Sequence, residues 1–354
     1  MQFLQNREAL FAAGPGPERD LVTGPPAATT ISAFLIKLAD TYARAFNVLR
    51  LVHSRSPLEV PDLIRRAVDC KERLFRIAER QRARYNFFMT TLPNDGPDLL
   101  GPEDPPPFEV INREGGAHML LVCDHASNVI PAQLGRLGLP DEAFEKHIAY
   151  DIGAAAVTRG LAERLDAQAV LAGYSRLVID VNRPPGHPDS IMPENDGVGI
   201  PANQDLSPEA RRQRVRQIFE PYHDAVNRAL ARLWDRGPAP AILSIHSFSP
   251  SFGGKPRPWD IGVLWNRDPR IAVPLMEHLD RFELRVGDNE PYSGHDLAYT
   301  IDMHGAAAGI ANCAVEINQD LIKDKGGVLE WVDILSESVL PIFDIPGLHR
   351  VERF

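Results

Sequence analysis

Short apolar runs alternate along the chain with longer stretches of helical period, and this alternation predicts the fold class. Residues 119–122 form a fully apolar run that ends at once in Cys123, Asp124, His125, Ala126, Ser127 and Asn128. Further strand-like runs fall at 167–171, 177–181, 241–245, 261–265, 284–286 and 313–317. Between them, 141–165 has helical spacing with a break at Asp151-Ile152-Gly153. Ser207-Pro208-Glu209 supplies an N-cap and a first-position proline for a long helix to Trp234, with a bend expected at Pro221. Another helix is predicted from about Ile271, and a closing helix at 328–342. Strands that alternate with helices predict an α/β fold, a mixed sheet flanked by helices on both faces.

The pattern upstream differs. Residues 1–30 are rich in Gly, Pro and Ala, with no apolar period, and are predicted to be disordered. Helical spacing begins after Thr29-Thr30, with Leu35, Leu38, Tyr42, Phe46, Leu49 and Val52 on one face, and a second helix is predicted at 61–88. Residues 1–88 carry 14 Lys+Arg against 9 Asp+Glu, whereas the remainder carries 24 against 39, so a compositional boundary separates them. The basic helices could serve as an arm for RNA or an acidic partner. A helical hairpin with a solvated face is favoured, because aromatic interleaving is thin. The Pro-rich stretch 89–107 reads as a linker, giving an N-terminal helical extension over 31–88 and a main domain over 108–354. Met89 opens that linker and is a second candidate start, which the intact mass of the native protein would decide.

Composition narrows the function only slightly. A hydrophobic fraction of 44% with 24% charged residues is that of an ordinary soluble protein, and a net charge of -10 argues against a general nucleic-acid binder. Cys70, Cys123 and Cys313 are far apart, which suits buried free thiols in a reducing compartment. With no membrane-length apolar run and no signal-peptide layout, the expected location is the cytoplasm. The pattern carries no expectation for oligomeric state.

Candidate chemistry gathers where apolar runs end or turn: CDHASN (123–128), YSRLVIDVNRPP (174–185), SIHSF (244–248) and VEIN (315–318). Together they offer the imidazoles, carboxylates and guanidiniums that a mononuclear zinc hydrolase of an anionic substrate requires. These stretches, with HIAYDIGA, PYH and DNEPYSG, resemble the N-formylglutamate amidohydrolase family, related in fold to zinc carboxypeptidases and aspartoacylase-type deacylases. The resemblance runs from about Pro105 to the C-terminus and leaves the basic extension outside. It implies a phosphorylase/hydrolase-like α/β fold and metal-dependent hydrolysis of the amide bond of a small anionic N-acyl amino acid.

Position by position, the resemblance implies one divalent metal, zinc by its ligand types, held by His125 and His246. For the third ligand Asp151 is favoured over Asn128, which stands where the carboxypeptidases carry a Glu. His147 could orient Asp151 if the helix ran unbroken, or be an ordinary surface residue. Glu316, a charge inside an apolar strand, matches the general base, and Arg176 the group that polarises the scissile carbonyl. Asn182 and Arg183 match the pair that holds the substrate carboxylate, with a structural Arg183–Asp180 pair as the alternative. Tyr292 and His304, on the loop over the site, are expected substrate contacts. The turn His125-Ala126-Ser127 departs from the HGG-type turn of the deformylase proper, which leaves room for other acyl groups. The rival class is a non-catalytic protein that binds a carboxylate ligand on the same fold.

Overall fold

The computed structural model describes residues 98–295 and 298–354. The predicted disordered stretch, both basic helices and the start of the linker lie outside the described residues.

Seven strands form one mixed sheet: β1 (Phe108–Ile111), β2 (Met119–Cys123), β3 (Gln168–Ala172), β6 (Ala241–Phe248), β9 (Ile261–Leu264), β10 (Val286–Asp288) and β11 (Asn312–Asn318). Their spatial order is β1-β3-β2-β6-β11-β9-β10. The four central strands β3, β2, β6 and β11 run parallel, while β1 pairs antiparallel with β3 and β9 antiparallel with β11. Central parallel strands are covered on both faces, which is why β2 and β6 are buried at every position and β2 reads as a continuous apolar run. Two small hairpins, β4 (Glu194–Asn195) with β5 (Val198–Gly199) and β7 (Ser251–Phe252) with β8 (Lys255–Pro256), stand apart from the sheet.

Side-chain alternation splits the interior into two cores. Leu120, Val122, Ile242 and Ala314 face α3 (Glu220–Arg236), the loop around Tyr174 and the short helix α5 (Tyr299–His304) that carries Ile301. Leu121, Leu243, Ile245, Val315 and Ile317 face α1 (Ala154–Arg164), α4 (Pro269–Leu279) and α6 (Lys325–Val339). Burying each such aliphatic side chain contributes about 1.5–3 kcal/mol, so a shift of one residue in any central strand would exchange the faces at heavy cost. The register is therefore strongly specified, and the site depends on it.

Two expectations change. Residues 177–181 are not a strand: Leu177 N donates to Ser175 Oγ, Val178 N to Ser175 O and Asp180 N to Ser190 O, so local partners take the groups a ladder would need. The apolar character of this run reflects its burial as a turn. The long helix also divides, into α2 (Pro208–Arg214), a π turn over Val215–Phe219 and then α3. Pro221 has no N–H to give the carbonyl four residues back and its ring crowds that carbonyl, and the wider turn just before it relieves both. Among the described residues, no helix is long and apolar enough to cross a membrane.

Candidate active site

The strand register assembles the centre. Val122 of β2 lies beside Ser244 of β6, so the next positions on the same face are Asp124 and His246. On the other side of β6, Glu316 of β11 is the direct partner of His246. His125 follows Asp124, where β2 has ended, and its carbonyl accepts from Asp151 N at 2.9 Å. That bond ties the His125 turn to the start of α1. Gly153, with φ of 81°, is the N-cap there and makes no side-chain cap, so the Asp151 carboxylate is not spent on capping. A Cβ at Gly153 would lie 2.2 Å from the Ile322 carbonyl, so only glycine permits this entry into the helix.

Both imidazoles turn Nδ1 toward one oxygen. Asp151 Oδ2 lies 3.3 Å from His125 Nδ1 and 2.8 Å from His246 Nδ1, while Arg176 Nη2 contacts the other oxygen, Oδ1. One ligand atom from each of His125, Asp151 and His246 falls within 4.8 Å of the others, and all three residues are buried. The remote ring nitrogens are held by further carboxylates: His125 Nε2 by Asp180 at 2.8 Å, His246 Nε2 by Asp124 at 3.2 Å. A carboxylate behind each imidazole fixes its tautomer and its aim, the usual arrangement behind metal-ligating histidines. Glu316 Oε2 is buried without a hydrogen-bond partner, a cost tolerated when a polar species is meant to meet it. The donor set therefore fits a divalent cation.

Burial and charge work against one another here. Burial alone would raise the carboxyl of Asp124, but the hydrogen bond and charge of His246, with Tyr222 donating at 2.7 Å, hold it well below the usual carboxylate range. Asp180 is likewise depressed, with burial outweighed by His125 and the Arg183 and Arg176 charges. Burial, aided by Arg176, pushes His125 down to about 4 against the pull of Asp180, so its ring is neutral. His246 moves the other way: burial is outweighed by Asp124 and Glu316, which raise it. Burial raises Glu316 despite the opposing charges of His246, Arg176, His125 and Arg257.

The predicted residues are placed unevenly. His125, Asp151, His246, Glu316 and Arg176 come together. Asn128 does not join them, since its Nδ2 donates to Phe144 O at 2.9 Å. Asn182 Oδ1 accepts from Thr300 N at 3.0 Å, and its own N–H donates to Asp180. Arg183 donates to Asn182 O, and no ion pair with Asp180 or any other described carboxylate forms. Asp180 serves His125 instead. Tyr292 is half-buried, accepts from Arg257 at 3.0 Å, and lies within the electrostatic reach of Glu316 and Arg176. His304 is not placed to contact substrate: it is buried, with Nε2 2.8 Å from His223 Nδ1 and Nδ1 3.0 Å from Asn227 Oδ1, so packing occupies both nitrogens. His147 does not orient Asp151. It pairs with Asp196 at 3.3 Å, because residues 147–150 form a turn and not a helix.

Comparison with known proteins bears on the same stretch. The family model for N-formylglutamate amidohydrolase matches residues 117–323, which hold every residue of this centre. The chain belongs to the N-formylglutamate amidohydrolase family. Members of this amidohydrolase family hydrolyse amide bonds, and the chain is an enzyme of that kind. It is similar to a gene product of Agrobacterium tumefaciens known from its crystal structure, with 33% identity over 69% of this chain and 97% of that one and a TM-score of 0.67. The crystal structure of N-formylglutamate amidohydrolase from Ralstonia eutropha is similar in fold, at 18% identity, 67% and 97% coverage and a TM-score of 0.51. No curated protein matches the chain.

Sequence reasoning about this N-formylglutamate amidohydrolase family member missed three residues. Asp124 and Asp180 support the histidines, and Arg257 stands beside Tyr292. Asp124 could have been found from parity alone, as the polar residue next in step with Val122.

Proposed function

We propose that the chain is a metal-dependent hydrolase of the amide bond of an N-formyl, or other short N-acyl, amino acid. The observation that carries this reading is the convergence of His125, Asp151 and His246 within 4.8 Å beside Glu316. Two imidazoles and one carboxylate are a donor set suited to zinc, with cobalt as a workable substitute. A cation held there supplies a Lewis acid and lowers the pKa of bound water. Glu316 takes the proton from the attacking water and returns it to the leaving nitrogen, a role that suits a buried carboxylate of raised pKa. Arg176, whose Nε is buried and without a partner among the described residues, donates to the scissile carbonyl oxygen as charge builds on it. Arg183 and Asn182 bind the α-carboxylate of the substrate. Arg183 forms no close ion pair with a described carboxylate, although its charge reaches Asp180, and a guanidinium fork matches a carboxylate. Tyr292 borders the substrate on the side of the Asp288–Gly294 loop. When the acyl group is formyl, the products are formate and a free amino acid. The buried thiols of Cys123 and Cys313 suit a reducing, cytoplasmic setting.

The test is a panel of N-formyl and N-acetyl amino acids incubated with protein purified without chelators. We expect about one zinc per chain, release of free amino acid from at least one member, loss of activity after chelation and recovery with zinc or cobalt. Bound ligand with no metal and no cleavage would instead identify a carboxylate-binding protein on this fold. The supporting carboxylates give a further expected result. Asp180→Asn should weaken zinc binding by roughly 10- to 100-fold in competition with a chromogenic chelator. Unchanged affinity would mean that packing alone orients His125.

A further inference from the structure

A buried polar network lies behind the candidate metal group, and Asn182 is its hub. The Asn182 N–H donates to Asp180 Oδ1 at 2.8 Å, the same oxygen that meets His125 Nε2. Its side-chain Oδ1 accepts from Thr300 N at 3.0 Å. Thr300 is the second residue of α5, and a first-turn N–H has no partner inside its own helix, so the Asn182 amide serves as its cap. The Thr300 hydroxyl donates at 2.8 Å to Asp124 Oδ1, while the other oxygen of Asp124 meets His246 Nε2. Asn182 and Thr300 thus join the carboxylates behind both imidazoles. Because the Thr300 N–H can only donate, the amide is oriented with Nδ2 turned away from it. That Nδ2 makes no hydrogen bond to any described residue, which leaves it for the α-carboxylate of the substrate.

The network is seated on α3. Tyr222 donates to the same Asp124 oxygen at 2.7 Å. His223 Nε2 donates to Val181 O at 2.9 Å, so its Nδ1 accepts from His304 Nε2 at 2.8 Å, and one helix holds both α5 and the 180–183 turn. Asp124, Asn182, His223, Thr300 and His304 are all buried. Hydrogen bonds in series polarise one another in such an interior. A carboxylate arriving at Asn182 Nδ2 makes Oδ1 a stronger acceptor, and so orders both Thr300 and the turn that carries Asp180. We propose that Thr300 is a positioning residue that couples the two halves of the site. Filling the α-carboxylate pocket tightens the hold on the metal through Asp124 and His246, and the hold on the carboxylate rises by the same factor when the metal is bound. This inference rests on the amide-hydrolase reading of the same site.

The experiment measures zinc affinity by competition with a chromogenic chelator, with and without saturating N-formyl-L-glutamate, in Glu316→Gln protein so that the probe is not consumed. The probe should tighten zinc binding about 10-fold, and calorimetric binding of the probe should gain the same factor from zinc. Thr300→Val keeps the shape and the N–H but removes the hydroxyl. It should cut the factor to about threefold, the remainder passing through Asp180 and the direct attraction between probe and metal. Thr300→Ser should restore it, and an unchanged thermal midpoint would exclude a folding defect. Tyr222→Phe removes the other donor to the same Asp124 oxygen; it should weaken zinc binding yet leave the factor intact, a separation that a merely structural hydroxyl would not give. A factor unchanged in Thr300→Val, or lowered equally by Tyr222→Phe, would overturn the coupling. So would a probe that fails to bind, or that binds no better with zinc, a result that needs no change at Thr300. Protein that cleaves no compound of the panel but shows the Thr300-dependent factor sinks the hydrolase reading alone.

Discussion

Glu316→Gln should lower kcat by roughly 10²- to 10⁴-fold while leaving the zinc content at about one per chain. The substitution keeps the shape of the side chain and removes its ability to accept a proton. It should not destabilise the fold, because Glu316 is a buried carboxyl whose Oε2 has no hydrogen-bond partner, and a neutral amide is easier to bury than a carboxylate. The measurement is steady-state hydrolysis of the best panel substrate, with metal analysis and a thermal melt on the same preparation. A kcat within a few-fold of wild type would place the base elsewhere. A fall in metal content would instead make Glu316 a ligand.

Asp151→Ala should be the more damaging change, since this one side chain meets both histidines and Arg176. Zinc content should fall below about a tenth per chain and hydrolysis by more than about 10³-fold, as expected when a metal-activated water is lost. Stability should fall as well. Removing one partner of a buried ion pair costs about 3–5 kcal/mol, and the low end applies here because Asp180 and Glu316 still face Arg176. Asp151→Asn, which preserves volume, separates these effects: metal retained by that variant near one per chain would remove Asp151 from the ligand set.

The legible and illegible parts of this molecule divide along physical lines. His125, His246 and Glu316 could be read because each interrupts or ends an apolar run, and a polar group at that place announces itself. Asp151 could be read because the HIAYDIGA stretch that holds it resembles the family. The roles of Asp124 and Asp180 could not, because they depend on which strands are neighbours and on a turn that mimics a strand in composition. His304 misled for a similar reason: its polarity suggests a loop over the site, but the π turn and α3 bring His223 and Asn227 against it. Arg257 lies in a Gly-rich and Pro-rich stretch whose sequence does not say which way the hairpin folds back.

The parity of β6 places a constraint on how such a centre can change over generations. Ser244 and His246 point into one core while Leu243 and Ile245 point into the other. An insertion of one residue before Ser244 would send an imidazole into the apolar layer and the side chain of Ile245 toward the metal group, abolishing packing and chemistry in one event. An insertion of two residues would keep the parity yet carry the imidazole past Glu316 on β11. The spacing from Ala241 to His246 thus matters to this centre as much as the identity of His246, and a replacement that preserves length is the only kind of change here that leaves the register intact.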